Sequence, residues 1–153
     1  MPAIKMPEPL FKVINPVMSL MLRSPLHKIF SDSIMLITFT GRNSGRQFTT
    51  PVRYLRDGEL VRCYTAKENQ WWRNLRGGAE VELLTAGHRG RYHASVIVDD
   101  PVVAKAQLRR YLAVYPEDAV YHDIRLEPDG SLNATDLDAA AMNAVVVEAR
   151  PLH

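Results

Sequence analysis

Residues 41–46, Gly-Arg-Asn-Ser-Gly-Arg, place two cationic forks, a hydroxyl and two glycines within six positions. Glycine lets the backbone take positive φ and come close to a ligand, while peptide N–H groups, the Ser44 hydroxyl and the Arg42 and Arg46 guanidinium groups can converge on a phosphate. A Thr49-Thr50-Pro51 strand and a Lys67…Trp71-Trp72-Arg73-Asn74-Leu75 segment follow, adding a further cation and an aromatic wall. A flat, phosphate-bearing cofactor suits such a site. The same six residues also fit an ordinary hairpin loop with solvated arginines, and the residues alone leave both readings open.

Other chemistries lack their residues. The five histidines are scattered and Cys63 stands alone, so no zincin or facial-triad spacing exists and no metal is expected. Ser44 lacks the spacing of a nucleophile elbow, and Walker and Rossmann glycine patterns are absent. A solitary cysteine in an alternating strand pattern has no disulfide partner, which points to a reducing, cytoplasmic compartment.

Period-two patterning supplies the elements that must position the candidate site. Residues 34–40 form an apolar, β-branched run; 47–55 alternate Phe48, Thr50, Val52 and Tyr54 on one face; and Asp57-Gly58 is a two-residue hairpin signal before the returning strand 60–65. A short helix over 68–76 ends at Gly77-Gly78, strands are expected over 80–85 and 91–98, and Pro101 opens a helix reaching Val114. Residues 115–134 look irregular and 144–149 supply a last buried strand. The first thirty residues are helical in pattern, over 7–30, with Pro16 and Pro25 as boundaries. The expected architecture is α+β and mainly β: about six mostly antiparallel strands in a small barrel with flanking helices, all within one domain spanning 1–153.

The chain of 153 residues is 46% hydrophobic with a net charge of +2. That balance conceals a polarity. Residues 42–91 hold ten Lys/Arg against five Asp/Glu, and residues 92–153 hold five against ten, giving +5 and −5. A central basic region of this size fits a small anionic ligand and argues against nucleic acid as partner. Leu10, Phe11, Val13, Ile14, Val17, Met18, Met21 and Leu22 give the N-terminal helix a wide apolar face flanked by Lys12, Arg23 and Lys28. Core or dimer packing is the favoured use of that face, with peripheral membrane contact the alternative.

The order of the motifs resembles the deazaflavin-dependent nitroreductase and quinone reductase family. The matching pieces are the strand 36–40, the basic turn 41–45, Thr49 to Pro51, the Asp57-Gly58 hairpin and the Trp-x-Asn-Leu segment Trp72 to Leu75. The likeness is good over 20–98, and the link Thr65 to Trp71 is shorter than in many relatives. This resemblance implies a split β-barrel of the flavin-reductase type and cofactor-borne redox chemistry, in which reduced coenzyme F-420 passes a hydride to a nitroaromatic, quinone or similar unsaturated acceptor. FMN is the alternative cofactor. A non-catalytic protein binding a lipophilic or tetrapyrrole-like ligand is the rival class.

Carried onto this sequence, the resemblance implies that Arg42, Ser44 and Arg46 hold the phosphate, with Gly45 allowing close backbone approach. Thr50, Pro51 and Val52 would line the ring, followed by Thr65, Ala66 and the Lys67 ammonium, while Trp72 and Asn74 close the site. Trp71 and Trp72 are adjacent, so at least one belongs to the core. Tyr54 is the candidate proton donor, with Tyr111, Tyr115 and Tyr121 as candidates for the acceptor side. Small barrels of this kind resemble dimeric flavin-binding folds, and a homodimer is expected.

Overall fold

The computed structural model describes residues 33–152. Six antiparallel strands, β1 (Ile34–Thr40), β2 (Gln47–Asp57), β3 (Leu60–Ala66), β4 (Ala79–Thr85), β5 (His88–Ile97) and β6 (Ala144–Pro151), close into a barrel in the order β1-β2-β3-β6-β5-β4. Alternation sends Met35, Ile37 and Phe39 of β1, Val61 and Cys63 of β3, Val81 and Leu83 of β4, and Val145 and Val147 of β6 into one interior core. Full burial of each aliphatic side chain of this kind contributes roughly 1.5–3 kcal/mol. Phe48, Val52 and Tyr54 join the same core, so the alternation expected for 47–55 is observed.

The barrel is split along one seam. β2 pairs with β1 over Gln47 to Arg53, but with β3 only where Tyr54 to Asp57 meet Leu60 to Cys63. Beyond Cys63, β3 pairs among the described residues with β6 alone. Tyr54 N–H donates to the Ser33 carbonyl at 3.1 Å. By the alternation of an antiparallel ladder, Thr49, Pro51 and Arg53 therefore turn their backbone polar groups away from β1, toward the seam. Proline is tolerated at position 51 because no ladder bond is asked of its nitrogen there.

Among the described residues, two α-helices pack outside the barrel. In α1 (Pro101–Val114), the Asp100 carboxylate accepts from Val103 N–H at 3.2 Å and Pro101 occupies the first turn. The second, α2 (Ala134–Asn143), is capped by Asn133, which accepts from Asp136 N–H at 2.9 Å. Leu108, Leu112, Leu137 and Ala141 bury themselves together, with Leu55 and Tyr64 from the barrel wall against them. Both bounds of α1 are as expected, whereas α2 was not anticipated and a 3₁₀ helix (Pro116–His122) interrupts the stretch read as irregular.

Two turns differ from expectation by small shifts. Asp57 pairs with Leu60, so the loop residues are Gly58 and Glu59 rather than Asp57 and Gly58. Gly58 has φ 63 and Glu59 does not take positive φ, the pattern of a type II′ hairpin with glycine first. Between β4 and β5 the loop is two residues, Ala86 and Gly87, with φ 49 and 78. Both being positive marks a type I′ turn, and alanine is a poor occupant of its first central position. We expect Ala86→Gly to stabilise the protein by about 1 kcal/mol, read as a rise of about 2–4 °C in thermal midpoint.

At the opposite end, the expected helix over 68–76 is a shorter 3₁₀ helix (Trp71–Leu75) that plugs the barrel. Trp71, Trp72 and Leu75 enter the core, and Gly77 and Gly78, with φ 79 and 91, turn the chain into β4. The N-terminal helical segment 7–30 and its apolar face lie outside the described residues. Among the described residues no helix is long and apolar enough to cross a membrane.

Candidate functional site

The plugged end of the barrel gathers most of the candidate residues. The turn 41–46 is closed by Gly41 N–H to the Arg46 carbonyl and Gly45 N–H to the Gly41 carbonyl, both 2.8 Å, and Gly45 has φ 69. Arg46 N–H donates to the Ser44 hydroxyl oxygen at 3.2 Å, and Arg42 N–H donates to Asn74 Oδ1 at 3.0 Å. The peptide N–H groups of Gly41, Arg42, Gly45 and Arg46 are thus engaged. Those of Asn43 and Ser44 have no partner among the described residues, nor have the Arg42 and Arg46 guanidinium groups. Ser44 keeps its own hydroxyl proton to donate.

Gly41 is fixed by packing. A Cβ there would lie 2.7 Å from the Phe48 ring and 2.8 Å from Ser44 Oγ, and Phe48 stacks on Phe39 with ring centroids 5.9 Å apart. The turn therefore sits directly on the barrel core, and any side chain at position 41 displaces it.

Along the seam, Thr50 and Thr65 are buried with their side chains on the interior faces of β2 and β3, and Thr65 Oγ1 accepts from Asn69 Nδ2 at 2.7 Å. Among the described residues, the seam leaves unpaired the backbone edge from Thr49 to Arg53, Pro51 included, and adjoins the end of β3 at Ala66. Val52 is part-buried and packs against the interior core. On the outer side, the Arg53 guanidinium lies 4.7 Å from the Tyr115 ring centroid and pairs with Glu117 at 2.8 Å and Asp118 at 3.5 Å.

Lys67 follows the β3 end and forms an ion pair with Asp99, which holds the Asp99 carboxyl below the usual carboxylate range. Its N–H donates to the Asn143 carbonyl at 2.9 Å, anchoring the link to α2. Asp99 has φ 62, a conformation asparagine also tolerates. Nothing in the sequence connects Lys67 to a residue 32 positions away.

Three expectations are corrected. Trp72 is 1% exposed, so it is a core residue and not the outer wall of the site. The Arg73 and Arg76 guanidinium groups lie 4.8 and 4.9 Å from its ring centroid, on a plug that leaves no accessible face for a ligand. Tyr54 points into the barrel at 6% exposure, which removes it as a proton donor to anything bound outside. Asn74 uses its carboxamide internally, accepting from Arg42 and donating to the Trp71 carbonyl at 2.9 Å.

The tyrosines divide by position. Tyr111 is buried and donates to Asp118; its phenol is pushed up by burial and then by that carboxylate. Tyr115 donates to the Tyr54 carbonyl at 3.3 Å. Tyr121 opens onto a small pocket of ≈ 140 Å³ with Ala66, Glu68, His122 and Asn143. Burial pushes the Cys63 thiol up to about 12, leaving it unreactive at neutral pH. Among the described residues no group of three or more His, Cys, Asp or Glu is arranged to hold a metal.

A family model described as F420H(2)-dependent quinone reductase matches residues 24–128, more than half of the chain. The chain belongs to that family. Its activity class is therefore deazaflavin-dependent oxidoreduction, and its cofactor is the deazaflavin coenzyme F-420. No curated protein matches the sequence. Among solved structures, a protein of Listeria innocua described as a candidate pyridoxamine 5′-phosphate oxidase is 11% identical, with a TM-score of 0.53 over 92% of this chain and 94% of that one. A structure described as a domain-swapped dimer is 13% identical, with a TM-score of 0.52 over 92% and 99%. One described as an F420 reductase is 16% identical, with a TM-score of 0.45 over 79% and 87%. The first two share the fold of this F420H(2)-dependent quinone reductase family member.

The residues present fit the family's coenzyme. Among the described residues, two guanidinium groups without partners, two free N–H groups and a hydroxyl stand on one exposed turn, and the unpaired edge of β2 adjoins it. These are donors without acceptors, which is what a phosphate-bearing, flat ligand supplies.

Proposed function

We propose that the protein reduces a quinone with reduced coenzyme F-420, held by the basic turn and along the seam of the barrel. Arg42 and Arg46, without partners among the described residues and on a turn beside a strand edge that no described residue pairs with, carry this reading. In it, Arg42, Arg46 and the Ser44 hydroxyl bind the anionic part of the coenzyme, with Gly45 keeping the backbone low. Pro51 and the backbone on either side of it, with Thr50 and Val52 holding that strand from inside, line the ring from β2. Ala66 and Lys67 line it from β3, with Thr65 holding that strand end from inside. When bound, the reduced deazaflavin supplies a hydride to an unsaturated acceptor. The protein orients the two partners and excludes water from between them.

The acceptor belongs on the outer side of the seam, where Arg53 and Tyr115 stand. A quinone is supported over a nitroaromatic by the family description alone. Steady-state reduction of a quinone series and a nitroaromatic series, each with reduced F-420 and with reduced FMN, tests the proposal. Faster turnover of quinones with the deazaflavin is expected; activity with FMN alone, or none with either, would reject it.

Lys67 must exchange Asp99 for the coenzyme. Asp99→Asn removes the competing carboxylate without disturbing the positive φ. Because exposed ion pairs are weak, the expected gain in coenzyme affinity is about twofold to fivefold, measured by calorimetric titration. Weaker binding in the variant would mean that Lys67 has no part in the site.

We further propose a homodimer, supported by the apolar side chains expected near the N-terminus and by the shared fold with a structure described as a domain-swapped dimer. Light scattering at micromolar concentration checks it, and a monomer would refute it.

A further inference from the structure

The Asn74 carboxamide is the one described side chain that ties the exposed part of the basic turn to the body of the barrel. Its Oδ1 accepts from Arg42 N–H at 3.0 Å and its Nδ2 donates to the Trp71 carbonyl at 2.9 Å. Only one orientation of the amide satisfies an N–H on one side and a carbonyl on the other, so the two partners fix it. Trp71 is rigidly placed: 8% exposed, with its ring centroid 5.9 Å from that of Phe39 on β1. Every other hydrogen bond of residues 42–46 is internal to the turn among the described residues, and all five are exposed. Without Asn74, the turn that carries both unpartnered guanidinium groups is held only from its two ends.

We propose that Asn74 is a positioning residue for the anion cradle, acting through the Arg42 backbone rather than by touching the coenzyme. The proposal rests on the assignment of that cradle to the coenzyme's anionic part. Its physical content is preorganisation: a cation aimed before binding loses less freedom on binding, and a turn that wanders dilutes the competent geometry. The reach is specific. Leucine or alanine cannot bridge the two backbone groups, and serine is too short to meet both.

Four proteins test it: the parent, Asn74→Ala, Arg42→Ala/Arg46→Ala, and the triple variant. The dissociation constant of oxidised coenzyme F-420 is measured by calorimetry at two salt concentrations, with thermal unfolding alongside. Asn74→Ala is expected to weaken the parent about tenfold and to weaken the variant lacking both arginines by less than about twofold, the signature of sites acting as one unit. It should also flatten the salt dependence, because the ionic contacts are what is lost. Asn74→Ser, which removes less volume, repeats the measurement should the alanine variant unfold.

Equal losses in both backgrounds would show a direct contact with the coenzyme and overturn the proposal. An unchanged dissociation constant with only a lower unfolding temperature would reduce Asn74 to a structural residue. If the variant lacking both arginines binds like the parent, the cradle assignment itself fails and the positioning role falls with it.

Discussion

Replacing Arg42 and Arg46 together with alanine is expected to weaken binding of coenzyme F-420 by about a hundredfold or more, with no loss of thermal stability. Hydrogen bonds to charged groups contribute about 1.5–3 kcal/mol each, which is roughly tenfold or more per cation. Neither guanidinium has a partner among the described residues and the turn is exposed, so their removal leaves no buried group unsatisfied. Affinity and stability are thereby separated. Calorimetric titration beside a thermal melt reads both, and a large drop in melting temperature or an affinity within threefold of the parent would contradict the assignment. FMN offers a second comparison: its weaker binding to the parent should be the less affected by the change.

The plug should behave in the opposite way. Trp72→Ala is expected to destabilise the protein by about 3–5 kcal/mol, because a large aromatic at 1% exposure leaves a cavity that a barrel end cannot collapse around. For a chain of this size that corresponds to a fall of roughly 10 °C or more in melting midpoint. Two guanidinium groups also lose the ring they cover, Arg73 and Arg76. A thermal melt without ligand checks it. A loss under 1 kcal/mol would place Trp72 outside the core and restore it as a candidate wall of the site.

Much of the barrel could be read from local pattern. Phe48, Thr50, Val52 and Tyr54 alternate because β2 has one face inside, and Asp100-Pro101 announces α1 because a cap and a first-turn proline are local signals. The hairpin loop came out one residue early because glycine can serve at either central position, and only the pairing of Asp57 with Leu60 decides between them. The helix α2 carried a usable signal in Asn133 and the alanine-rich run after it. The segment 68–76 is a shorter 3₁₀ plug because packing inside the barrel end, not helix propensity, decides its form.

Of the candidate site, the clustering of the cations was legible and the connections were not. Arg42, Ser44 and Arg46 stand together in sequence and in space. The links from Arg42 to Asn74 and from Lys67 to Asp99 each cross 32 residues, and no local pattern encodes a tertiary hydrogen bond. Trp72 and Tyr54 were misassigned for the same reason: an aromatic beside a site and an aromatic beneath it have the same sequence. The split between β2 and β3, which leaves the strand edge free for a ligand, is a property of register and needed the structure.

The most direct test of the coenzyme's place is amide hydrogen exchange with and without oxidised F-420. Binding at the seam should slow exchange at the amides of Asn43 and Ser44 on the turn and at Thr49 and Arg53 on the open edge of β2. Protection confined to the small pocket around Tyr121 and Asn143, or none at residues 42–53 under saturating coenzyme, would contradict it.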